Sequence, residues 1–188
     1  LGAVGYNMEF IETVELEGIW KESTLPVGNY SSVAYGNGKF VAGLGTNDSK
    51  IYYSDDGLYW TEATGYPTGK AYYNMHFANG QFLAVGGTGL LATSSDGVNW
   101  VSGATGANQV FTSVAYGDGV WVIGGSSLIK YSTDNGLSWT DATTEAGYYR
   151  AITYGNGRFV AVSSTQNKVL YSDAVSYTHL TLPTNCVV

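Results

Sequence analysis

The chain has 188 residues, a formal net charge of −7 and charged side chains at only 12% of positions. This acidic balance lacks the basic footprint that nucleic-acid binding needs, so no nucleic-acid partner is expected. No apolar run is long enough to span a membrane, and the 26 Gly and 16 Tyr residues favour tight turns and half-buried strands.

One phrase recurs along the chain at a spacing of about 40 residues. Its first copy reads Val-Ala-Tyr-Gly-Asn-Gly-Lys-Phe-Val-Ala, and its second glycine falls at Gly38, Gly80, Gly119 and Gly157. A second phrase ends in tryptophan, at Trp20, Trp60, Trp100 and Trp139. Such a period predicts a repeat architecture in which each unit packs only against its neighbours.

In chain order, residues 1–23 are expected to supply outer strands of a preceding unit, with Trp20 in its tryptophan slot. The next unit predicts strands over 30–35, 39–44, 50–54 and 59–63, with an Asn-Gly hairpin turn between the first two. Four short antiparallel strands in about 40 residues are one blade of a β-propeller. The predicted fold is therefore all-β: an incomplete β-propeller of four-stranded antiparallel blades. The predicted blades are 24–65, 66–105 and 106–144, with a partial blade at 145–173.

The turn between the third and fourth strands carries a second motif, a serine, an aspartate, a glycine and a tryptophan in fixed order. Its longest copy is Ser-Thr-Asp-Asn-Gly-Leu-Ser-Trp at 132–139. The serine and aspartate oxygens can accept backbone N–H bonds within the turn, and the glycine supplies a positive φ. The motif residues are Ser54, Asp56, Gly57 and Trp60, then Ser94, Asp96, Gly97 and Trp100, then Ser132, Asp134, Gly136 and Trp139. Because the aspartates recur once per blade, we interpret them as turn structure, not as catalytic acids.

This motif, on a hairpin of a four-stranded blade, resembles the Asp-box (bacterial neuraminidase) repeat family. The preceding phrase is similar to the blades of bacterial and phage propellers described as sialidase-like or photosystem-assembly-factor-like. The resemblance covers about residues 19–173 and implies a propeller fold. It does not imply one function, since Asp-box proteins include sialidases, other glycoside hydrolases, a receptor ectodomain, an assembly factor and non-catalytic surface modules.

The C-terminal segment 175–188 resembles the translation of an adapter used in transposase-based sequencing libraries. Residues 174–188 are therefore expected to be a non-native tail, and the native part to be a piece of a larger propeller whose missing blades pack on the terminal ones. His179 and the only cysteine, Cys186, lie in this tail. We predict no metal site and no cofactor, because no His, Cys and Asp cluster has metal-ligand spacing.

The resemblance implies that a sialidase of this family carries three arginines around the substrate carboxylate, a tyrosine nucleophile paired with a glutamate, and an acid/base aspartate. The chain has two arginines, Arg150 and Arg158, and Tyr149-Arg150-Ala151-Ile152 is only a partial echo of the family's arginine segment. We predict no catalytic residue in this piece and favour a protein that is not an enzyme. The alternative is a fragment of an exo-sialidase-like glycoside hydrolase with further arginines on missing blades.

Residues that depart from their repeat slot are the better candidates for ligand contacts. One slot on the first strand holds Ser31, Tyr73, Thr112 and Arg150, and another holds Ala34, His76, Ala115 and Thr153. If this strand lines the central channel, Tyr73, His76 and Arg150 are candidate ligand-binding residues at its mouth. The alternative is drift at tolerant positions, with His76 as a satisfied core histidine.

The leading functional hypothesis is a non-catalytic binding or structural propeller of a bacterial or phage protein, favouring an extracellular, cell-surface or virion location. It would recognise a glycan or a protein surface through blade loops rich in Tyr, Gly and Asn. The alternatives are the sialidase-like fragment and an assembly factor that scaffolds other proteins. Residues 1–173 alone are not expected to form a monodisperse monomer, because the terminal blades would expose aromatic faces and unpaired edges.

Overall fold

The computed structural model describes residues 20–173. Most of the predicted preceding-blade segment, residues 1–19, and the predicted tail, residues 174–188, lie outside this described part. The described chain forms four antiparallel sheets that follow one another in sequence order. This confirms the predicted fold class, an all-β incomplete propeller.

Each sheet is a meander in which consecutive strands pair. The first three blades have four strands, and the fourth blade has three within residues 20–173. The first blade comprises β1 (Tyr30–Gly36), β2 (Lys39–Leu44), β3 (Ile51–Ser54) and β4 (Thr61–Glu62). The second comprises β5 (Tyr72–Ala78), β6 (Gln81–Gly86), β7 (Leu91–Ser94) and β8 (Val101–Ser102). The third comprises β9 (Phe111–Gly117), β10 (Val120–Gly125), β11 (Ile129–Ser132) and β12 (Thr140–Asp141), and the fourth β13 (Tyr149–Gly155), β14 (Arg158–Ser163) and β15 (Lys168–Asp173).

A two-residue turn joins the first two strands of every blade. Asn37 and Gly38 both have positive φ, 48° and 74°. The same left-handed pair occurs in the other three blades, at 79–80, 118–119 and 156–157. Two central residues with positive φ make a type I′ turn, whose twist matches that of the flanking strands. Asn, Asp and Gly at these positions are therefore required by the backbone.

The fourth strands are shorter than the sequence predicts. β4 has two residues where 59–63 was expected, because the Ser-Asp turn extends further along the chain. The amides of Leu58 and Tyr59 donate to the Asp56 carboxylate at 2.8 and 3.0 Å, and the Trp60 amide donates to Thr24 Oγ1 at 3.1 Å. These amides are consequently not available to the strand ladder.

The apolar cores lie between blades, not within them. The first cluster joins Val41 and Ile51 of the first blade to Tyr72, Phe82 and Trp100 of the second. A second cluster joins the second and third blades, and a third joins the third and fourth. A blade therefore covers its two faces only by packing on its neighbours, as a propeller requires.

Glycine permits the closest approach between blades. A Cβ built on Gly36 would lie 1.9 Å from Cγ of Phe77 in the next blade, and one built on Gly117 would lie 2.1 Å from Cγ of Tyr154. Each aromatic ring thus rests directly on the backbone of the preceding blade. At the equivalent glycine of the fourth blade, Gly155, no atom of the described residues lies within 4 Å of such a Cβ.

Antiparallel pairing sorts the loops of every blade to two ends. The β1–β2 and β3–β4 turns lie at one end, which we call the turn end. The β2–β3 loop and the linker into the next blade lie at the other, the linker end. The first strands contact one another in order, whereas the two-residue fourth strands are exposed. The first strands are therefore the inner strands, and each begins at the linker end.

Candidate functional site

Each Ser-Asp turn is held by its own serine and aspartate. In the second blade, Ser94 Oγ accepts from the Gly97 amide at 2.9 Å, and Asp96 Oδ1 accepts from the Asn99 amide at 2.8 Å. The Trp100 ring closes the turn, since its Nε1 donates to the Gly97 carbonyl at 3.1 Å. Equivalent bonds are made by Ser54, Asp56, Gly57 and Trp60 and by Ser132, Asp134, Gly136 and Trp139.

Hydrogen bonding keeps the three turn carboxylates ionised. Backbone amides of the turn lower the pKa of Asp56. Partial burial opposes ionisation of Asp96, but the amide and side chain of Asn99 outweigh it and the pKa is lowered. The hydroxyl and the amide of Ser138 lower the pKa of Asp134 to about 2. Carboxyl groups with such pKa values are poor proton donors at neutral pH.

The third turn has one extra residue, Asn135, which ties it to the second blade. Asn135 has a positive φ of 59°, and its Oδ1 accepts from Trp121 Nε1 at 2.9 Å. Its carbonyl accepts from Gln81 Nε2 of the second blade at 3.0 Å. Sequence reasoning did not single out Gln81 or Asn135, although the insertion in the motif was a signal that could have found them.

The slot that holds Ser31, Tyr73, Thr112 and Arg150 is a β-bulge in all four blades. At each of these residues the register between the first and second strands shifts by one position. The bulge lies at the start of the inner strand and therefore at the linker end. Bulges re-aim a side chain and are frequent beside binding sites.

Two of the four bulge residues hold neighbouring blades together. Ser31 donates to the Tyr72 carbonyl of the next blade, and Thr112 Oγ1 donates to the Tyr149 carbonyl at 3.0 Å. The following serine in each strand accepts from the next blade: Ser32 Oγ from the Met75 amide and Ser113 Oγ from the Ile152 amide, both at 2.8 Å. The hydroxyls of this slot are therefore structural.

The other two bulge residues, Tyr73 and Arg150, are not used in this way. Arg150 is exposed, its guanidinium lies 4.5 Å from the Tyr148 ring centroid, and its Nε donates to Ser164 Oγ at 3.4 Å. Tyr73 is half-buried, and its ring lies beside Gly87 in the β6–β7 loop. Both side chains belong to the linker end.

His76 lies further along β5, towards the turn end. It is exposed, and its ring packs edge-on against Trp121 of the third blade, with ring centroids 6.0 Å apart. Desolvation by these neighbours lowers its pKa, so the imidazole is neutral at pH 7. It lies at the surface of the interface between the second and third blades.

The structure does not bring the three candidates into one constellation. Tyr73 and His76 share β5, whereas Arg150 lies on β13, with β9 between them. Within residues 20–173 no hydrogen bond or ring contact joins any two of the three. The same part of the chain holds no group of His, Cys, Asp and Glu side chains suited to a metal ion, and no helix there is long and apolar enough to cross a membrane.

Comparison with known proteins identifies the propeller. Residues 19–141 match the family model of the DUF6242 beta propeller domain. The chain belongs to this DUF6242 family. No curated protein matches the sequence of this DUF6242 propeller.

Solved structures similar to this DUF6242 propeller have diverse functions. Virginiamycin B lyase from Staphylococcus aureus has a TM-score of 0.71 at 14% identity, covering 83% of this chain and 57% of that one. A structure of YCF48 bound to D1 peptide has a TM-score of 0.58 at 14% identity, covering 80% and 50%. The computationally designed Ika4 protein has a TM-score of 0.63 at 12% identity, covering 80% and 94%. At these identities the likeness shows the fold alone, and the chain spans about half the length of the YCF48 and lyase chains.

Proposed function

We propose that this DUF6242 propeller is a non-catalytic binding module that engages an extended peptide segment of a protein partner at its linker end. The observation that carries the proposal is the exposed Arg150 guanidinium stacked on Tyr148, in a slot that the first and third blades use to hold the next blade. Tyr73 occupies the same slot in the second blade and adds an aromatic surface at the same end.

The chemistry of the Arg150 site suits an anionic or carbonyl oxygen. A guanidinium offers several N–H donors in a fixed fork and pairs with carboxylates in a bidentate manner. Stacking on Tyr148 holds the guanidinium in one orientation, so less side-chain freedom is lost when a ligand binds. Tyr73 and Tyr148 would contact apolar parts of the same ligand.

A protein ligand is favoured over a glycan by one of the structural neighbours. YCF48, which shares the propeller fold, was solved with a bound D1 peptide. An assembly factor would also hold an extended segment of another protein, so the assembly-factor hypothesis is a special case of this proposal. A glycan ligand is the alternative that the experiment below distinguishes.

Two observations support a non-catalytic role over a sialidase-like hydrolase. Arg158 begins β14 beside the hairpin turn, and its guanidinium lies 5.3 Å from the Tyr171 ring centroid at the turn end. Arg150 lies at the linker end, so the two arginines of the chain cannot clasp one carboxylate. The recurring aspartates are engaged as acceptors in their turns.

The proposal is tested by replacing each arginine with the residue that another blade carries in its slot. Arg150→Thr copies Thr112, and Arg158→Lys copies Lys39, so both variants keep side chains that the blade accommodates. The 188-residue chain and both variants are applied to an array of acidic and neutral peptides and to an array of sialylated and neutral glycans. We expect peptide binding that Arg150→Thr weakens by about 10- to 100-fold and Arg158→Lys leaves unchanged.

The other outcomes are equally informative. Glycan binding that depends on Arg150 would support the proposed site but would show that its ligand is a glycan and not a peptide. Binding that survives Arg150→Thr but is lost in Arg158→Lys places the ligand at the turn end and contradicts the proposal. Turnover of a fluorogenic sialoside by the chain, abolished by Arg150→Thr, contradicts the non-catalytic assignment.

A further inference from the structure

An apolar cleft opens between the third and fourth blades. The cleft is partly open to solvent, and its lining is made almost entirely of apolar side chains. These include Val122, Ile129, Ile152, Phe159, Ala161 and Leu170. Several of the same residues form the apolar cluster that joins the two blades.

The cleft has the same position in the interface between the third and fourth blades as a tryptophan has in the interface between the first and second blades. That interface packs Val41, Ile51 and Phe82 around the buried Trp100. The same slots between the third and fourth blades hold Val122, Ile129 and Phe159, but the sequence has no tryptophan after Trp139. The cleft is therefore the counterpart of the Trp100 site, and no side chain of residues 20–173 fills it.

Trp20 packs in none of the three apolar clusters formed by residues 20–173. Trp20 is 99% exposed and lies one repeat before Trp60. Thr24, four residues later, donates its amide to the Leu58 carbonyl at 2.8 Å, as Thr64 donates to the Val98 carbonyl at 2.9 Å one blade further on. Thr24 thus occupies the place of Thr64, and residues 21–22 take the place of the outer strand β4 in a blade before the first.

We propose that residues 20–24 of one copy of this chain complete the fourth blade of a second copy. Residues 21–22 add to β15, the last described strand of the fourth blade, as an outer strand, and Trp20 enters the cleft. Main-chain hydrogen bonds supply affinity in such strand addition, and the buried side chain supplies specificity. The first blade of the donor then packs on the fourth blade of the acceptor.

Charge complementarity supports this pairing. In the first blade, Lys50 Nζ lies 2.8 Å from Glu62 Oε2, across β3 and β4. The repeat places Lys168 in the slot of Lys50 and Glu22 in the slot of Glu62. Completion of the fourth blade brings Glu22 of one copy to Lys168 of the other, which now pairs with Glu145 at 3.0 Å on the surface.

The outward face of the first blade and the outward face of the fourth blade also carry complementary residues. Phe77 rests on Gly36 and Tyr154 on Gly117. No described residue covers the equivalent Gly155, and the equivalent aromatic residue of the first blade, Tyr35, is 58% exposed. Tyr35 of one copy therefore fits onto Gly155 of the other.

A second apolar pair follows the same rule. Val114 of the third blade packs in one cluster with Val85 of the second. Their counterparts at the two ends of the chain, Val33 and Val162, are 64% and 40% exposed. The donor's Val33 covers the acceptor's Val162 in the proposed contact, so both apolar side chains leave water.

This contact is heterologous, because different surfaces of the two copies meet. Copies joined in this way form a closed ring when the rotation between them closes, and an open series when it does not. The association is measured by sedimentation velocity of the 188-residue chain at concentrations from about 1 to 100 μM. We expect concentration-dependent association through the Trp20 site.

Three variants test the site itself. Trp20→Ala removes the donor tryptophan, which is already exposed and does not support the fold; we expect at least about tenfold weaker association. Gly155→Phe places a bulky ring where Tyr35 would lie and is expected to weaken association in the same direction; alanine is not used, because Ala78 occupies this slot in the second blade. The matched control is Leu137→Ala, an exposed apolar residue in the turn of the third blade, which leaves association unchanged.

Charge reversal distinguishes this contact from non-specific adhesion. Glu22→Lys and Lys168→Glu each weaken association, and the double variant, which restores opposite charges across the contact, recovers it. A monomer at all concentrations overturns the proposal. Association that is indifferent to Trp20→Ala but is lost when residues 174–188 are removed also overturns it, because the C-terminal segment, and not Trp20, would then carry the contact.

Discussion

Val41 of the first blade contacts Gly97 in the Ser-Asp turn of the second. A Cβ built on Gly97 would lie 3.0 Å from Val41 Cγ1, and one built on Gly136 would lie 3.2 Å from Leu83 Cδ1. The turn glycine therefore has two roles. It supplies the positive φ of the turn, and it lets the turn lie flat on the second strand of the preceding blade.

Gly97→Ala is expected to destabilise the protein more than Gly57→Ala. Both glycines have positive φ, 74° and 76°, so both variants incur about 1–2 kcal/mol of left-handed strain. The nearest atom to a Cβ on Gly57 is Phe40 Cε2 at 3.7 Å, whereas Gly97 faces Val41. Overpacking adds about 1–3 kcal/mol for Gly97→Ala alone. Urea denaturation at one low protein concentration measures the free energy of unfolding of both variants. Equal losses of stability would contradict a steric effect of Val41.

Ser113→Ala is expected to lower stability more than Ser32→Ala. Ser113 Oγ is the acceptor for the Ile152 amide in a buried position, so its loss leaves that amide unpaired, at about 1–3 kcal/mol. Ser32 makes the same bond to the Met75 amide, but it is only half-buried, and water can replace the hydroxyl. Thermal unfolding of the two variants provides the comparison. A larger loss for Ser32→Ala would refute it.

The turn aspartates predict a loss of stability in acid. The pKa of Asp134 is about 2 in the folded protein, below its unfolded value of about 3.9. A lowered folded pKa contributes stability that is fully present above the unfolded value and is lost as the pH falls through the folded one. Between about pH 4 and pH 2, the melting temperature of the parent chain should fall more steeply than that of Asp134→Asn. Parallel curves for the two proteins would show that Asp134 does not contribute.

Removing the two members of the Lys130–Asp141 ion pair is expected to have unequal effects on stability. Its buried ammonium lies 2.5 Å from Oδ1 of the exposed Asp141. Asp141→Ala leaves a buried charge without its partner and should cost about 1–3 kcal/mol. Lys130→Met should be tolerated within about 1 kcal/mol, because Ala92 and Leu170 occupy the same slot in other blades. Denaturant titration gives the free energy of unfolding of both variants. A greater loss of stability in Lys130→Met than in Asp141→Ala would contradict the prediction.

Local features of the fold could be predicted from the sequence. The Asn37-Gly38 pair predicts a type I′ turn because few residues adopt positive φ. The Ser94 and Asp96 side chains stabilise their turn over four or five positions, so their pattern is visible in one stretch of sequence. The spacing of the phrases then predicts the number of strands in each blade.

Contacts between blades could not be predicted in the same way. Ser32 reaches the Met75 amide only because the bulge at Ser31 turns the strand, and a bulge leaves no mark on the repeat period. Comparison of slots singled out Tyr73 and Arg150, but the register was needed to explain why that slot projects at the linker end. The same comparison could have found Lys130, a charge among apolar counterparts.

The separation of the two blade ends bears on how such molecules evolve. Side chains at the linker end and those in the Ser-Asp turns lie at opposite ends of the same sheet. Substitution at Tyr73 or Arg150 leaves the hydrogen bonds of the turns untouched. During evolution, the ligand specificity of such propellers can therefore change at the linker end while the turns that stabilise each blade stay the same.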